Sequence, residues 1–172
     1  NNHPECLLLC AQVGAGILYQ RDIGGRVPAH YATGECLRII ADLAPNSLLV
    51  RDFVDEVFPA YFVTKNQDAV GLRVCALVAP ETLLGVAFIA AANDDLECLR
   101  VCAEMVPESM WAQDLHGFTP THLAAMRGRA RCLRLCVSVV PGTVFVQNAD
   151  GRRPRDVAKT AECREICDSV GK

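Results

Sequence analysis

A chain of 172 residues, of which 51% are hydrophobic, is long enough to bury a continuous core within one domain. Only 6% of the residues are aromatic, so we expect a core of aliphatic side chains, alanine and cysteine. The apolar runs are short and interrupted, and they predict neither a transmembrane helix nor a secretory signal. The formal charge of −3 argues against a general attraction to nucleic acid.

A short apolar pattern recurs along the chain, and its copies share the same spacing to later residues. In chain order the copies are CLLLC, CLRII, GLRVC, CLRVC, CLRLC and, weakly, CREIC, which start at Cys6, Cys36, Gly71, Cys98, Cys132 and Cys163. The intervals between these starts are 30, 35, 27, 34 and 31 residues. Nine residues after the start, the four inner copies carry a proline: Pro45, Pro80, Pro107 and Pro141. Each inner copy therefore predicts a helix with one buried stripe, an arginine turned to water, and a proline stop.

The stretch before Cys132 predicts a second helix in each repeat. Thr119 and Pro120 have the residue types of a helix start, a hydroxyl cap followed by proline at the first helical position. Asp114 and Gly117 frame a tight turn before it. Two antiparallel helices and a turn bury their apolar faces only when several such units stack side by side.

The resulting pattern resembles the ankyrin repeat. The best match is DLHGFTPTHLAA (114–125), followed by DIGGRVPAHYA (22–32) and NADGRRPRDVA (148–158). The stretch DFVDEVFPAYF (52–62) matches less well, and residues 85–92 carry no such motif. The resemblance implies an all-α fold, an ankyrin-repeat solenoid of stacked helix-turn-helix units with short β-hairpin-like turns.

Measured against residues 114–141, the other units differ in particular places. We predict one ankyrin-like domain over 1–172, with a half repeat at 1–16 and repeats at about 17–47, 48–81, 82–108, 109–142 and 143–172. The first repeat should have a short first helix, and the third should lack its turn because seven residues are missing. The last should end in a polar capping helix, CREICDSVGK.

Eight of the ten cysteines form pairs four residues apart: Cys6/Cys10, Cys98/Cys102, Cys132/Cys136 and Cys163/Cys167. Cysteines at this spacing share a helix face, so zinc binding is one interpretation, although structural zinc sites favour shorter spacings on loops. Ile40 occupies the slot of Cys10, Cys102 and Cys136, which favours reduced thiols that act as small core hydrophobes. We therefore predict no metal, no cofactor and a cytoplasmic or nuclear location, with a host-cell cytosol as an alternative for a secreted effector.

His30 and His122 occupy the histidine position of the ankyrin TPLH motif. The resemblance implies a structural role in which this histidine hydrogen-bonds backbone and ties neighbouring turns together. No Ser/His/Asp or Cys/His arrangement accompanies them, so we predict no catalytic residue and no enzyme.

Thirteen residues after each copy starts, a large apolar residue recurs: Tyr19, Leu49, Leu84, Trp111 and Phe145. This row either packs between turn and helix or forms an exposed ladder for binding. We favour packing, and we expect Trp111 and Tyr19 to be the members that are partly exposed.

Charge is uneven along the chain. Residues 42–108 carry eleven Asp/Glu and four Lys/Arg, whereas residues 127–159 carry eight Lys/Arg and only Asp150 and Asp156. These are either solvated faces or, at the basic end, a docking site for an acidic or phosphate-bearing partner.

We therefore expect a non-enzymatic scaffold or adaptor that binds another protein, with no nucleic acid, membrane or small-molecule substrate. The resemblance implies binding by the concave side, formed by turn tips and first helices. The candidate partner-binding residues are Tyr31, Phe53, Phe62, Trp111, Leu115, His116, Met126, Arg127, Arg129 and Arg131, and Ile23 and Ala149 also lie at tips. Alternatives are a targeting or regulatory segment of a larger protein and, more remotely, a cysteine-based metal or redox site.

Overall fold

A computed structural model describes residues 3–170 of the chain. The described residues form helices, 3-10 turns and loops, with no strand, and the predicted all-α class is confirmed. The ten α-helices are α1 (Pro4–Val13), α2 (Gly34–Leu43), α3 (Pro59–Lys65), α4 (Ala69–Val78), α5 (Val86–Asn93), α6 (Leu96–Met105), α7 (Pro120–Arg127), α8 (Ala130–Val139), α9 (Pro154–Val157) and α10 (Ala161–Asp168).

The chain divides into two compact units, Asn1–Leu83 and Leu84–Lys172. In the first unit α2 packs against α1 and α4, and α3 packs against α4. In the second unit α7 packs against α5, α8 and α9, and α8 packs against α6 and α10. Each unit therefore stacks helical pairs side by side, as the repeat pattern requires. The predicted single domain and its repeat boundaries stay predictions.

The second helix of each inner repeat buries the stripe that the pattern predicts. The residue after the start of each copy is fully buried in all four, at Leu37, Leu72, Leu99 and Leu133. The arginine one position further is exposed in all four, at Arg38, Arg73, Arg100 and Arg134. Because one face is aliphatic and the other charged, each of these helices has a fixed rotation about its axis.

The proline that follows each of these helices stops it, as expected, and also begins the next element. α4 and α8 end at Val78 and Val139, two residues before the proline, and the proline begins a 3-10 turn. The residue between leaves the helical conformation, as at Val140 with φ −134° and ψ 69°, because a proline ring disfavours helical geometry in its predecessor. A hydroxyl then closes the turn, since Oγ1 of Thr143 donates to the Val140 carbonyl oxygen at 2.8 Å.

The hairpin-like turns are organised by an aspartate or asparagine side chain. In the second unit the Asp114 N–H donates to the Phe118 carbonyl oxygen at 3.0 Å, which closes the turn. Oδ1 of Asp114 accepts the N–H groups of His116 and Phe118, both at 2.9 Å. Asn148 makes the same pattern with Asp150 and Arg152. These side chains satisfy turn donors that would otherwise need water.

The predicted irregularities of individual repeats are present. The first helix of the first repeat is reduced to a 3-10 turn, Pro28–His30, and α9 has only four residues. Between the 3-10 turn Pro80–Leu83 and the start of α5, residues 84–85 leave no room for a hairpin-like turn. The polar capping helix is α10, and Gly171 and Lys172 at its predicted end lie outside the described residues.

Gly117 and Gly151 allow a direct test of turn packing, because both are turn glycines with positive φ, +73° and +74°. A Cβ on Gly117 would lie 2.9 Å from the Ala149 backbone nitrogen, whereas a Cβ on Gly151 would meet nothing within 4 Å. We expect Gly151→Ala to lower the free energy of unfolding by about 1 kcal/mol, from left-handed strain alone. Gly117→Ala should lower it by about 3 kcal/mol, since the turn of the next repeat must also shift.

Urea unfolding followed by far-UV circular dichroism measures both losses in the same chain. Equal losses for the two variants would contradict the close approach of consecutive turns.

Candidate protein-interaction surface

The turn tips of the first unit carry a group of arginine and large apolar side chains. We call this group the tip cluster, and its members are Arg21, Ile23, Arg26, Tyr31, Phe53 and Phe62. It spans two consecutive turns, which are joined because the Phe53 N–H donates to the Gly24 carbonyl oxygen at 2.8 Å. The backbone therefore fixes the spacing of the side chains on the two turns.

Phe53 is 66% exposed, and its ring is nevertheless held in place. The ring lies against the turn at Gly25, where a Cβ would stand 2.4 Å from Cγ of Phe53. The guanidinium of Arg21 lies over the Phe53 ring, 4.9 Å from its centroid. Nη1 of Arg21 in turn donates to the carbonyl oxygens of Gly25 at 2.7 Å and Arg51 at 2.8 Å. The aromatic surface is therefore exposed and pre-ordered.

A buried carboxylate supports the cluster from below. Asp52 accepts the N–H groups of Asp55 and Val57 and forms an ion pair with Nε of Arg26 at 3.1 Å. Burial opposes ionisation, but the Arg26 and backbone hydrogen bonds outweigh it and hold the pKa of Asp52 below its ordinary value. The Arg26 guanidinium then lies 4.6 Å from the Phe62 ring centroid. Removing the Asp52 carboxylate would remove the ion pair that holds the Arg26 guanidinium against the Phe62 ring.

Tyr31 and Ile23 complete the exposed part of the cluster. The Tyr31 hydroxyl donates to Oδ2 of Asp22 at 2.5 Å, and this bond is the main reason that the pKa of Asp22 is lowered. Tyr31 is 58% exposed, and Ile23 at the turn tip is fully exposed. Aromatic and arginine side chains of this kind dominate the binding energy of protein interfaces.

The structure brings together three of the predicted binding residues, Tyr31, Phe53 and Phe62, within the first unit. Sequence reasoning missed the arginines and the carboxylate that order them, Arg21, Arg26 and Asp52. A signal was present, because the two arginines flank the turn sequence DIGG. Their partners were not predictable, since Asp52 lies 26 residues after Arg26 in the chain.

The predicted binding residues of the second unit lie in two places. Leu115 and His116 stand exposed at a turn tip, where Leu115 is fully accessible. Met126, half-buried, and Arg127, exposed, lie at the end of α7. Arg127 belongs to a group of four cations that we call the basic edge. Its members are Arg127, Arg129, Arg131 and Lys159.

The basic edge is assembled from two loops. The Lys159 N–H donates to the Ala125 carbonyl oxygen at 3.0 Å, so the loop after α9 lies against the loop after α7. A Cβ on Gly128 would lie 3.8 Å from Cβ of Lys159. Nε of Arg129 donates to the Ala92 carbonyl oxygen at 3.3 Å, whereas Arg127 and Arg131 form no ion pair with any described residue. The positive charge of this edge is therefore not neutralised locally.

Three other cations of the basic segment form ion pairs, whereas Arg153 forms none with a described residue. Arg134 binds Glu162 and Arg155 binds Asp168, each at 2.5 Å, and Arg152 binds Asp150. Glu162 and Asp168 lie beyond residues 127–159, the segment in which charges were counted. Both are in α10, which packs back against that segment. Positive potential is concentrated at the basic edge instead of spreading over the whole segment.

The row of large apolar residues is neither buried nor fully exposed. Tyr19 and Leu49 are each 39% exposed, Leu84 46%, Trp111 48% and Phe145 53%. Trp111 and Tyr19 are partly exposed, as expected, and so are the other three side chains. Trp111 packs against the next 3-10 turn, where a Cβ on Gly142 would lie 2.7 Å from its Cη2.

Both ring nitrogens of His122 make hydrogen bonds within the fold, and Nδ1 also lies 2.9 Å from Oγ1 of Thr119. Its Nδ1 accepts the Thr119 N–H at 3.2 Å, so Nε2 carries the proton and donates to the Arg152 carbonyl oxygen at 3.1 Å. His30 makes the same pair of contacts with Val27 and Val57. The structural role that the resemblance implied for both histidines is confirmed, and neither ring nitrogen is left to act as a base.

The cysteines divide into two groups. Eight are buried as expected, and burial raises the pKa of Cys75, Cys102, Cys132 and Cys136 to about 12. Cys6 and Cys10 are exposed, so the core interpretation is wrong for this pair. The reason is that α1, which packs against α2 and the 3-10 turn Ala15–Tyr19, has no buried residue. Among residues 3–170, no three His, Cys, Asp or Glu side chains form a group suited to a metal ion.

The helices of residues 3–170 include none with the length and hydropathy needed to cross a membrane. No protein-family model and no curated protein matches the sequence. The structure is similar to the crystal structure of the ankyrin repeat domain of Bcl-3, a member of the IkappaB protein family. The TM-score is 0.83 at 19% identity, over 96% of this chain and 77% of that one. It is also similar to the ankyrin repeat protein EF0377, with a TM-score of 0.74 at 16% identity, over 100% and 99% of the two chains. The fold is that of ankyrin repeats.

The thiols give a test of the two cysteine groups. In the native chain we expect Cys6 and Cys10 to react with Ellman's reagent within seconds to minutes, because their sulfur atoms are accessible. The eight buried thiols should react only on unfolding, since the folded chain keeps the reagent away from them. A Cys6→Ser/Cys10→Ser variant is the control and should show no fast phase. A fast phase in that variant would place another thiol at the surface.

His30 and His122 predict how stability depends on pH. Burial lowers the pKa of both below the ordinary value of about 6.5. The unfolded chain therefore binds protons first as pH falls, and the stabilisation present above about pH 6.5 is lost below it. We expect the urea midpoint to fall between pH 7.5 and 5.5, and to fall less in His122→Asn, whose stability is lower at both pH values. An equal fall in the variant would show that other groups control this window.

Proposed function

We propose that this chain is a protein-interaction module that binds its partner through the tip cluster of the first unit. The ankyrin-repeat fold generally mediates protein–protein interactions, and ankyrin repeat proteins are typically non-enzymatic. The observation that supports the tip cluster is Phe53, which is 66% exposed and yet held by contacts with Gly25 and Arg21. An exposed aromatic ring that is already ordered loses little conformational entropy on binding.

The composition of the cluster supports a partner with both apolar and acidic groups. Ile23, Tyr31 and Phe53 supply aliphatic and aromatic surface, and Arg21 and Arg51 form no ion pair with any described residue. Arg51 also lies over an aromatic ring, 4.7 Å from the Phe58 centroid. Guanidinium groups above aromatic rings keep donors free for carboxylates while the rings exclude water from one side.

The basic edge of the second unit is a second candidate surface. Arg127, Arg131 and Lys159 carry positive charge that no described carboxylate neutralises. We propose that it attracts an acidic or phosphate-bearing segment of a partner, and that salt weakens this contact steeply because it depends on exposed charges.

The same surfaces serve a scaffold, an adaptor, or a targeting or regulatory segment of a larger protein. The buried reduced thiols support a cytoplasmic or nuclear location, or the host-cell cytosol for an effector. The exposed Cys6 and Cys10 leave a redox role as a more remote alternative.

Quantitative affinity purification from the native cell tests both surfaces in one experiment. We expect Tyr31→Ala/Phe53→Ala to lower recovery of the main partner at least about tenfold, while the unfolding midpoint stays near that of the wild type. Phe145→Ala is the matched control, because Phe145 is 53% exposed but lies outside the cluster. Unchanged recovery in the double variant would reject the tip cluster.

The basic edge is tested in the same way with Arg127→Glu/Arg129→Glu/Arg131→Glu. The control is Arg134→Glu/Arg152→Glu/Arg155→Glu, which changes the net charge equally at arginines that are already paired. We expect only the first variant to lose partners, and the loss should resemble that caused by high salt in the wild type. Equal losses in both variants would indicate a general charge effect.

A further inference from the structure

The outward face of α4 carries aliphatic side chains that no other element covers. We call Val70, Val74, Leu77 and Val78 the α4 stripe, and they follow the i, i+4, i+7 spacing of one helix face. Leu77 is 74% exposed, Val70 67% and Val78 38%. The opposite face of the helix, with Gly71, Leu72, Cys75 and Ala76, is buried, so the fold has already used the apolar residues that it needs.

The same two positions are polar in every other copy of the repeat. The position of Val70 holds Glu5, Glu35, Glu97, Arg131 and Glu162 in the other five copies. The position of Leu77 holds Gln12, Asp42, Glu104, Ser138 and Ser169. Because the repeat is built with polar side chains at both places, neither Val70 nor Leu77 is required for stacking. A bare aliphatic stripe at a normally polar face marks an interaction surface.

Acidic groups lie at the C-terminal end of this stripe. Glu81 follows Leu77 by four residues. Asp42 occupies on α2 the position that Leu77 has on α4, and the two helices pack side by side at about 10 Å. Both are exposed, and neither forms an ion pair with a described residue. The carbonyl end of the α4 dipole adds negative potential at the same place.

We propose that the α4 stripe docks an amphipathic helix of a partner protein, with an aliphatic face against Val70 and Leu77 and with Lys or Arg over Asp42 and Glu81. A helix laid along another helix presents aliphatic residues at the same i, i+3, i+4, i+7 spacing. The acidic residues select cationic flanks over acidic ones. This site shares no residue with the tip cluster or the basic edge, so it stands independently of the proposed function.

The size of the stripe argues against a second copy of this chain as its occupant. Four partly exposed aliphatic side chains present on the order of 300 Å², so two copies meeting there would bury about 600 Å². A stable interface buries at least about 1,200 Å². Two acidic ends would also repel each other in such a dimer, whereas a cationic helix is attracted.

A designed peptide tests the chemistry directly. The probe is an 18-residue fluorescent helix with Leu at i, i+3, i+4 and i+7 and Lys on both flanks, and its partner probe carries Glu in place of Lys. Fluorescence anisotropy with the purified full chain should show binding of the Lys peptide in the micromolar range. Val70→Glu/Leu77→Glu should weaken it at least about tenfold. These substitutions install residues that other copies carry, so folding should be retained, as a thermal melt checks.

Three further variants sharpen the result. Leu115→Glu, at a fully exposed leucine elsewhere, is the matched control and should bind as the wild type does. Asp42→Lys/Glu81→Lys should weaken the Lys peptide and strengthen the Glu peptide. Tyr31→Ala/Phe53→Ala should leave peptide binding unchanged, which separates this site from the tip cluster.

The proposal is overturned if the wild type does not bind the Lys peptide at about 100 μM, or if Val70→Glu/Leu77→Glu binds it equally well. Analytical ultracentrifugation tests whether a second copy of the chain occupies the stripe, and a wild-type dimer that these substitutions dissociate would also overturn the proposal.

Vesicles of phosphatidylcholine and phosphatidylserine test whether the stripe binds lipid. Vesicle binding that these substitutions abolish would overturn the proposal in favour of a membrane.

Discussion

The hydrogen bond from Nε2 of His122 to the carbonyl oxygen of Arg152 joins a first helix to the turn of the following repeat. It requires a neutral imidazole, and burial supplies this by lowering the pKa of His122. Nδ1 is meanwhile fixed by the Thr119 N–H, so the ring has one tautomer and one orientation. This side chain thereby contributes to the spacing between the turns of these two repeats. The side chains on the turn tips are spaced accordingly.

In the tip cluster, hydrogen bonds between turns hold exposed side chains in fixed positions. The Phe53 N–H donates to the Gly24 carbonyl oxygen at 2.8 Å and joins two turns. The Asp52 carboxylate is buried and forms an ion pair with Arg26. An exposed aromatic ring on a mobile loop would lose entropy when it binds, whereas Phe53 is ordered beforehand. In the proposed interaction the buried carboxylate supports binding without contacting a partner, because it holds the arginine that packs on Phe62.

The sequence was sufficient for features that depend on neighbours in the repeat. Apolar spacing predicted the buried row of Leu37, Leu72, Leu99 and Leu133, and the turn motif predicted the histidine contacts. Features that depend on distant residues or on missing neighbours were not predictable. The ion pair of Arg155 depends on Asp168, which α10 brings back. The exposure of Cys6 and Cys10 follows from α1 having α2 as its packing partner, although their spacing is the same as in buried pairs.

Degenerate repeats separate structural from functional constraint at single positions. Where stacking determines the residue, the copies agree, as at the four buried leucines. Where it does not, each copy is free, and five copies place polar residues at the positions of Val70 and Leu77. An aliphatic residue there exposes apolar surface to water, and valine also lowers helix propensity relative to glutamate. Two such departures on one face of one helix, 67% and 74% exposed, have no structural reason within the first unit and are explained by a partner that covers them.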